Sequence, residues 1–239
     1  MKKAFKFMVV ATVLVFATSS SLMAQVKFGV KASGTMNNMF LDSDTIKDIK
    51  RSPVFGFNVG VMGEYFLNDN MSVGAELLFA QQGYKRTIET GDENNGFKSE
   101  TTYRTNHINQ PILFRYYIGG LAIEAGPQVS FCFGGKIKGH SEETILGHTA
   151  TQDTTISLGD VEADYQKGMS DFKLWNRINI GGTIGLSYNM ASGLFFGARY
   201  TYDFTNAFND MKLGDDLKPK QEASKSHHSV ISVSVGFKF

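Results

Sequence analysis

The last ten residues, Val230 to Phe239, constrain the fold more than any other stretch of this chain. Ile231, Val233, Val235, Phe237 and Phe239 share one parity, and Ser232, Ser234, Gly236 and Lys238 share the other. A strand sends successive side chains to opposite faces, so this segment has one apolar face and one polar face. Seven upstream segments repeat the pattern: Val26 to about Met36, Val54 to Leu67, Met71 to Tyr84, Tyr103 to Ile118, Leu121 to about Gly135, Phe172 to Tyr188, and Leu194 to Phe204. The supply of 25 Gly, 20 Phe and 9 Tyr against only 4 Pro suits short, curved strands.

Parity alone does not say whether the apolar faces turn inward, as in a sandwich, or outward to lipid. Connection length does. Asn68-Asp69-Asn70, Gly119-Gly120 and Asn189 to Gly193 are short, and they alternate with long stretches at 37–53, 85–102, 136–171 and 205–229. Short turns on one side and long loops on the other is the layout of an outer-membrane barrel, and an even strand number puts both ends of the barrel chain on the short-turn, periplasmic side. The expected fold is an all-β, eight-stranded antiparallel up-and-down transmembrane β-barrel.

The polar faces carry charge in mid-strand. Glu64, Glu76, Glu124 and Asp203 stand against Lys31, Arg115, Arg177, Arg199 and Lys238. Isolated buried charges are costly, whereas paired and hydrogen-bonded ones are tolerated, so these nine residues are expected to form a charge network filling the lumen. Tyr65, Tyr84, Tyr103, Tyr116, Trp175, Tyr188, Tyr200 and Tyr202 lie toward strand ends, where interfacial girdles form.

The amino terminus reads as a signal peptide. Lys2, Lys3 and Lys6 precede an apolar run from Phe7 to Ala17, and Ser19 to Ala24 follow. Cleavage after Ala24 would leave residues 25–239 as the barrel domain and move the formal charge from +1 to −2, neither of which suggests a nucleic-acid partner. With Cys132 as the only cysteine, no intramolecular disulfide can form. No run of about 18 apolar residues follows residue 25, which excludes a helical membrane protein.

Several stretches resemble the PorT-like small outer-membrane β-barrel proteins of Bacteroidetes. They are Phe28-Gly29-Val30-Lys31-Ala32, Gly56-Phe57-Asn58-Val59-Gly60, Ala75-Glu76-Leu77-Leu78-Phe79-Ala80-Gln81-Gln82-Gly83-Tyr84, Asn109-Gln110-Pro111-Ile112-Leu113-Phe114-Arg115-Tyr116, Glu124-Ala125-Gly126-Pro127-Gln128 and Arg199-Tyr200-Thr201-Tyr202. The resemblance covers essentially the whole chain after the signal. It implies an eight-stranded barrel inserted by the outer-membrane assembly machinery, with Phe237 and Phe239 as the assembly signal; Ser234 stands where that signal usually has glycine. It implies no shared catalytic residues and no cofactor.

Candidate chemistry is sparse. His227, His228 and Ser229, with Glu222 nearby, offer a possible base and nucleophile for a lipid-modifying enzyme, against two polar residues at a loop–strand boundary. His140, His148, Glu142, Glu143 and Asp153 crowd the longest connection without the spacing of a metal site. Asp92-Glu93-Asn94-Asn95-Gly96 reads as a hairpin tip whose flanks extend past the membrane, and Cys132 as a small buried residue. The leading expectation is a non-enzymatic membrane anchor seated in outer-membrane lipid, its long loops presented to a surface ligand. The alternatives are an accessory component of a secretion or surface-assembly complex, a narrow solute channel and, last, the lipid enzyme.

Overall fold

Strands with one apolar and one polar face can close into a ring with either face inside. In the computed structural model, which describes residues 25–41, 49–91, 95–159, 176–205 and 226–239, the strands form such a closed ring. The described residues form nine strands: β1 (Val26–Leu41), β2 (Ile49–Asn68), β3 (Met71–Gly91), β4 (Asn95–Ile118), β5 (Leu121–Ile145), β6 (His148–Ser157), β7 (Ile178–Asn189), β8 (Leu194–Asp203) and β9 (Ser226–Lys238). Every neighbouring pair is antiparallel. β1 to β5 follow one another, β5 pairs with β7, and β9 returns to β1. The ring therefore has eight strands, and β6 stands outside it. Among the described residues no helix is long and apolar enough to cross a membrane.

The register sets the tilt. The pairs Val26–Tyr65, Tyr65–Val73, Val73–Phe114, Phe114–Ala125, Ala125–Ile184, Ile184–Tyr200, Tyr200–Ile231 and Ile231–Met36 circle the ring once. The circuit begins at residue 26 of β1 and ends at residue 36, a stagger of ten residues. A barrel with such stagger has strands inclined by about 35–45°, and eight strands enclose a space that side chains can fill.

The apolar faces point outward. Val30, Val61, Phe114, Ile123, Ile184 and Val233 are exposed, while Lys31, Glu64, Glu76, Arg115, Glu124 and Arg199 are buried inside the ring. A water-soluble fold would invert this arrangement; lipid makes it stable. The short turns match the sequence reading. Gly119 (φ 60°) and Gly193 (φ 92°) occupy the left-handed backbone that two of them need.

Past the hydrocarbon layer the strands continue. β4 and β5 run 24 and 25 residues, whereas about 9–11 cross a bilayer. β5 changes partner as it leaves the ring, from β7 along residues 121–131 to β6 along residues 136–145. The outer parts of β2, β3, β4 and β5 with β6 thus form a sheet standing above the barrel. Much of the expected loops at 85–102 and 136–171 is strand instead. β6 is polar on both faces, so it lacks the alternation that marks the other strands, and its turn uses Leu146 (φ 51°) and Gly147 (φ 79°) without an Asn-Gly signature. The register of β4 against β5 shifts between Asn106 and His107, where Cys132 and Gly134 are the successive partners and Phe133 is the extra residue of a bulge. Of the predicted girdle, Tyr84 and Tyr103 turn inward and stack on each other, with ring centroids 4.6 Å apart. Trp175, the proposed signal peptide and the hairpin tip at 92–94 lie outside the described residues.

Cys132 is buried on the lumen face of β5. A membrane-impermeant maleimide should label the folded barrel at least about tenfold more slowly than the urea-unfolded chain, as read by mass shift. Equal rates would contradict the inward placement.

Candidate functional site: the ion-paired lumen

Seven of the nine expected lumen charges meet inside the ring. Of the three glutamates, Glu64 lies nearest the short-turn end, held by Lys238 Nζ at 2.7 Å and Arg115 Nη1 at 3.5 Å. It also accepts hydrogen bonds from Ser72 Oγ at 2.5 Å and from the Tyr117 hydroxyl. Arg115 bridges all three glutamates: its Nη2 is 2.7 Å from Glu76 Oε1, and its Nε donates to Glu124 Oε2 at 2.9 Å. Arg199 donates to both oxygens of Glu76 at 2.6 and 2.7 Å and also binds Glu124. Lys31 completes the set, 3.4 Å from Glu76.

Small residues make this crowding possible. A Cβ on Gly74 would fall 2.1 Å from Arg115 Nη1, and one on Gly185 would fall 2.7 Å from Arg199 Cγ. The glycines on the polar face are the space that the two guanidinium groups occupy. Apolar residues share the lumen as well: Leu78, Leu113 and Phe195 are buried there. Only their parity with the charged residues could have marked them as inward.

Two expected members stand elsewhere. Asp203 is buried at the outer end of β8, with no ion-pair partner among the described residues. Arg177 lies just before β7 begins, at the outer rim, where its carbonyl accepts from the Cys132 amide. Asp203 keeps the inward parity of β8, but height in the barrel depends on the ten-residue stagger, which separates both residues from the three glutamates.

Above the ion pairs the lumen is lined by amides and hydroxyls. A polar cavity of about 20 Å³, bordered by Lys31, Asn58, Gln82, Asn109, Gln128 and Thr201, is on the scale of one water molecule. Nearer the mouth, His107 lies 3.0 Å from Ser130 Oγ through Nδ1 and 2.8 Å from Thr105 Oγ1 through Nε2. Met39, Tyr84 and Leu158 form a buried apolar cluster at that end, packed with Tyr103 and Ile137. Of the histidine–serine candidates, His228 is buried on the lumen face, while His227 turns the other way, stacks on Tyr202 and contacts the Asp203 carbonyl. Glu222 lies outside the described residues.

The outer sheet holds His140. Its Nδ1 is 2.6 Å from Asp153 and its Nε2 is 3.1 Å from Glu142. Hydrogen bonds to Asp153 first and Glu142 second raise its pKa above the usual imidazole value. Among the described residues no three His, Cys, Asp or Glu side chains are grouped to hold a metal.

Removing Arg115 would leave three buried carboxylates short of a partner. Arg115→Met should cost about 3–5 kcal/mol, measured by urea unfolding in a lipid bilayer. For His140, a raised folded pKa means that the stabilisation is present below the ordinary histidine value and is lost as pH rises through the folded one. An NMR titration should place its midpoint above that of a free histidine, and Asp153→Asn should lower it.

Comparison with solved structures gives distant similarities. The crystal structure of Neisserial surface protein A superposes with a TM-score of 0.42 at 14% identity, covering 89% of this chain and 97% of that one. The attachment invasion locus protein Ail of Yersinia pestis gives 0.38 at 12% identity, covering 90% and 99%. The outer membrane protease OmpT of Escherichia coli gives 0.37 at 6% identity, covering 90% and 95%. None of the curated proteins matches the sequence. A family described as outer membrane protein beta-barrel domain matches residues 16–209. With that match across most of the chain, and a closed ring whose charges face in and whose apolar residues face out, the protein belongs to the outer-membrane β-barrel domain family.

Proposed function

We propose that this protein is a sealed, non-enzymatic membrane anchor that holds the sheet of β2 to β6 above the outer membrane as a binding platform. The observation that carries this reading is the filling of the lumen. Ion pairs close its periplasmic half and an apolar cluster closes its mouth, while β4 and β5 extend far beyond what spanning requires. The His107–Ser130 pair supports the non-enzymatic reading, because the other ring nitrogen of His107 faces the Thr105 hydroxyl and not a carboxylate.

One face of the outer sheet favours a protein as the bound partner. Phe97, Ile145 and Ile156 are exposed on the parity that continues the lumen face, and Leu146 is 81% exposed at the hairpin turn. Exposed apolar clusters of this kind mark interaction surfaces. Together with the likeness to PorT-like barrels of Bacteroidetes, this supports a second reading, that the anchor serves a secretion or surface-assembly complex. In both readings residues 1–24 act as a cleaved signal, and Phe237 and Phe239 engage the assembly machinery.

Planar-bilayer recording tests the seal. The refolded chain should give no stable conductance steps, and Arg115→Met should not open a path while the apolar cluster remains. Steady ohmic steps from the unaltered protein would replace the anchor with a solute channel.

A further inference from the structure

The opposite face of the outer sheet continues the lipid-facing surface of the barrel. On β3, β4 and β5 the lipid belt ends with Phe79, Ile108 and Phe131, and Phe133 packs 6.1 Å from Phe79. The stretch from Ile108 to Ile118 on β4 is eleven residues long, which matches one bilayer crossing. The next polar position is Gln81 beside Asn106. Beyond it come two successive cross-strand rows, Arg104 paired with Lys136, then Lys85 and Lys138 flanking Thr102.

These two rows hold four cations and no acid. Carboxylates begin only one row farther out, with Glu100, which binds Lys85 at 2.6 Å and Lys98 at 3.4 Å. Arg104, Lys136 and Lys138 are exposed. Arg104 is steadied by a hydrogen bond from its Nη1 to Gln81 Oε1 at 2.9 Å. The bulge at Phe133 builds the cluster. Before it, odd residues of β5 face lipid; after it, the partners of Arg104 and Thr102 are the even residues Lys136 and Lys138. If Phe133 were instead drawn into the regular ladder, both lysines would turn to the other face of the sheet.

We propose that this cluster binds the phosphate groups of a phosphorylated lipid in the outer leaflet, whose acyl chains lie on the apolar belt below. Charge complementarity and continuity with the lipid surface carry the assignment. Neighbouring residues across strands are about 5 Å apart and successive same-face residues about 7 Å apart, so three free cations can converge on one phosphate-bearing headgroup. Guanidinium provides a planar fork for phosphate oxygens, and the ammonium groups act as point charges beside it. The site shares no residue with the ion-paired lumen, and it does not depend on what the apolar face binds.

The test uses the refolded full chain in neutral detergent, with lipid A carrying two phosphates as the probe and native mass spectrometry as the readout. Discrete lipid A adducts are expected. The triple variant Arg104→Gln, Lys136→Gln, Lys138→Gln should bind at least about tenfold more weakly while keeping its heat-dependent gel shift, and lipid A stripped of phosphate should be equally weak on the unaltered protein. A control that removes three other cations, Lys27→Gln, Lys50→Gln, Lys98→Gln, should stay within about twofold of the unaltered protein. Three results would overturn the proposal: equal binding of dephosphorylated lipid, equal loss in the control, or displacement of the adducts by inorganic phosphate at matched concentration.

Discussion

The ion pairs between Arg115, Arg199 and the three glutamates are what the rest of the barrel is arranged around. Lys31, Glu64, Glu76, Arg115, Glu124, Arg199 and Lys238 come from β1, β2, β3, β4, β5, β8 and β9 in turn. β7 alone sends no charge, and it supplies Gly185, which makes room for Arg199, and Asn189, which accepts from Lys238 at 2.7 Å. Each strand is thus tied to others across the lumen as well as to its hydrogen-bonded neighbours. Such a network confers no large net stability, because desolvation offsets much of the attraction. What it does supply is specificity: a strand one residue out of register would leave a charge facing lipid.

This inverted core shapes the rest of the molecule. Hydrophobic residues need no close packing against protein, so Val, Ile and Phe form the outer surface. The lumen selects glycine and serine wherever a long side chain must pass. Correct register and a filled interior come from the same atoms, since the groups that join the strands also occupy the lumen.

Parity made the ring legible in the sequence. The shared face of Glu64, Glu76, Arg115 and Glu124 follows from alternation, and the alternation of short and long connections turned that face inward. Height along the axis was not legible, because stagger is a property of all eight strands together. For that reason Arg177 and Asp203 share the inward parity of their strands but sit at the rim. Tyr84 and Tyr103 failed as girdle residues for a related cause: the strands continue past the membrane, so residues at an apparent strand end sit at the mouth of the barrel. β6 was hidden because both its faces are wet. The same polarity that concealed it gives the outer sheet a strand that needs no burial.

The bulge at Phe133 has a consequence for how such a chain can change over generations. Within residues 121–132 of β5 a gain or loss of one residue would exchange lipid and lumen faces, so length there is locked. At Phe133 one residue already stands outside the ladder, with Cys132 and Gly134 as successive partners of β4. A single-codon deletion at that point would straighten the bulge and leave Lys136 and Lys138 on the face they hold now. The chain can therefore lose a residue there without exchanging either the faces of the barrel or those of the sheet above it.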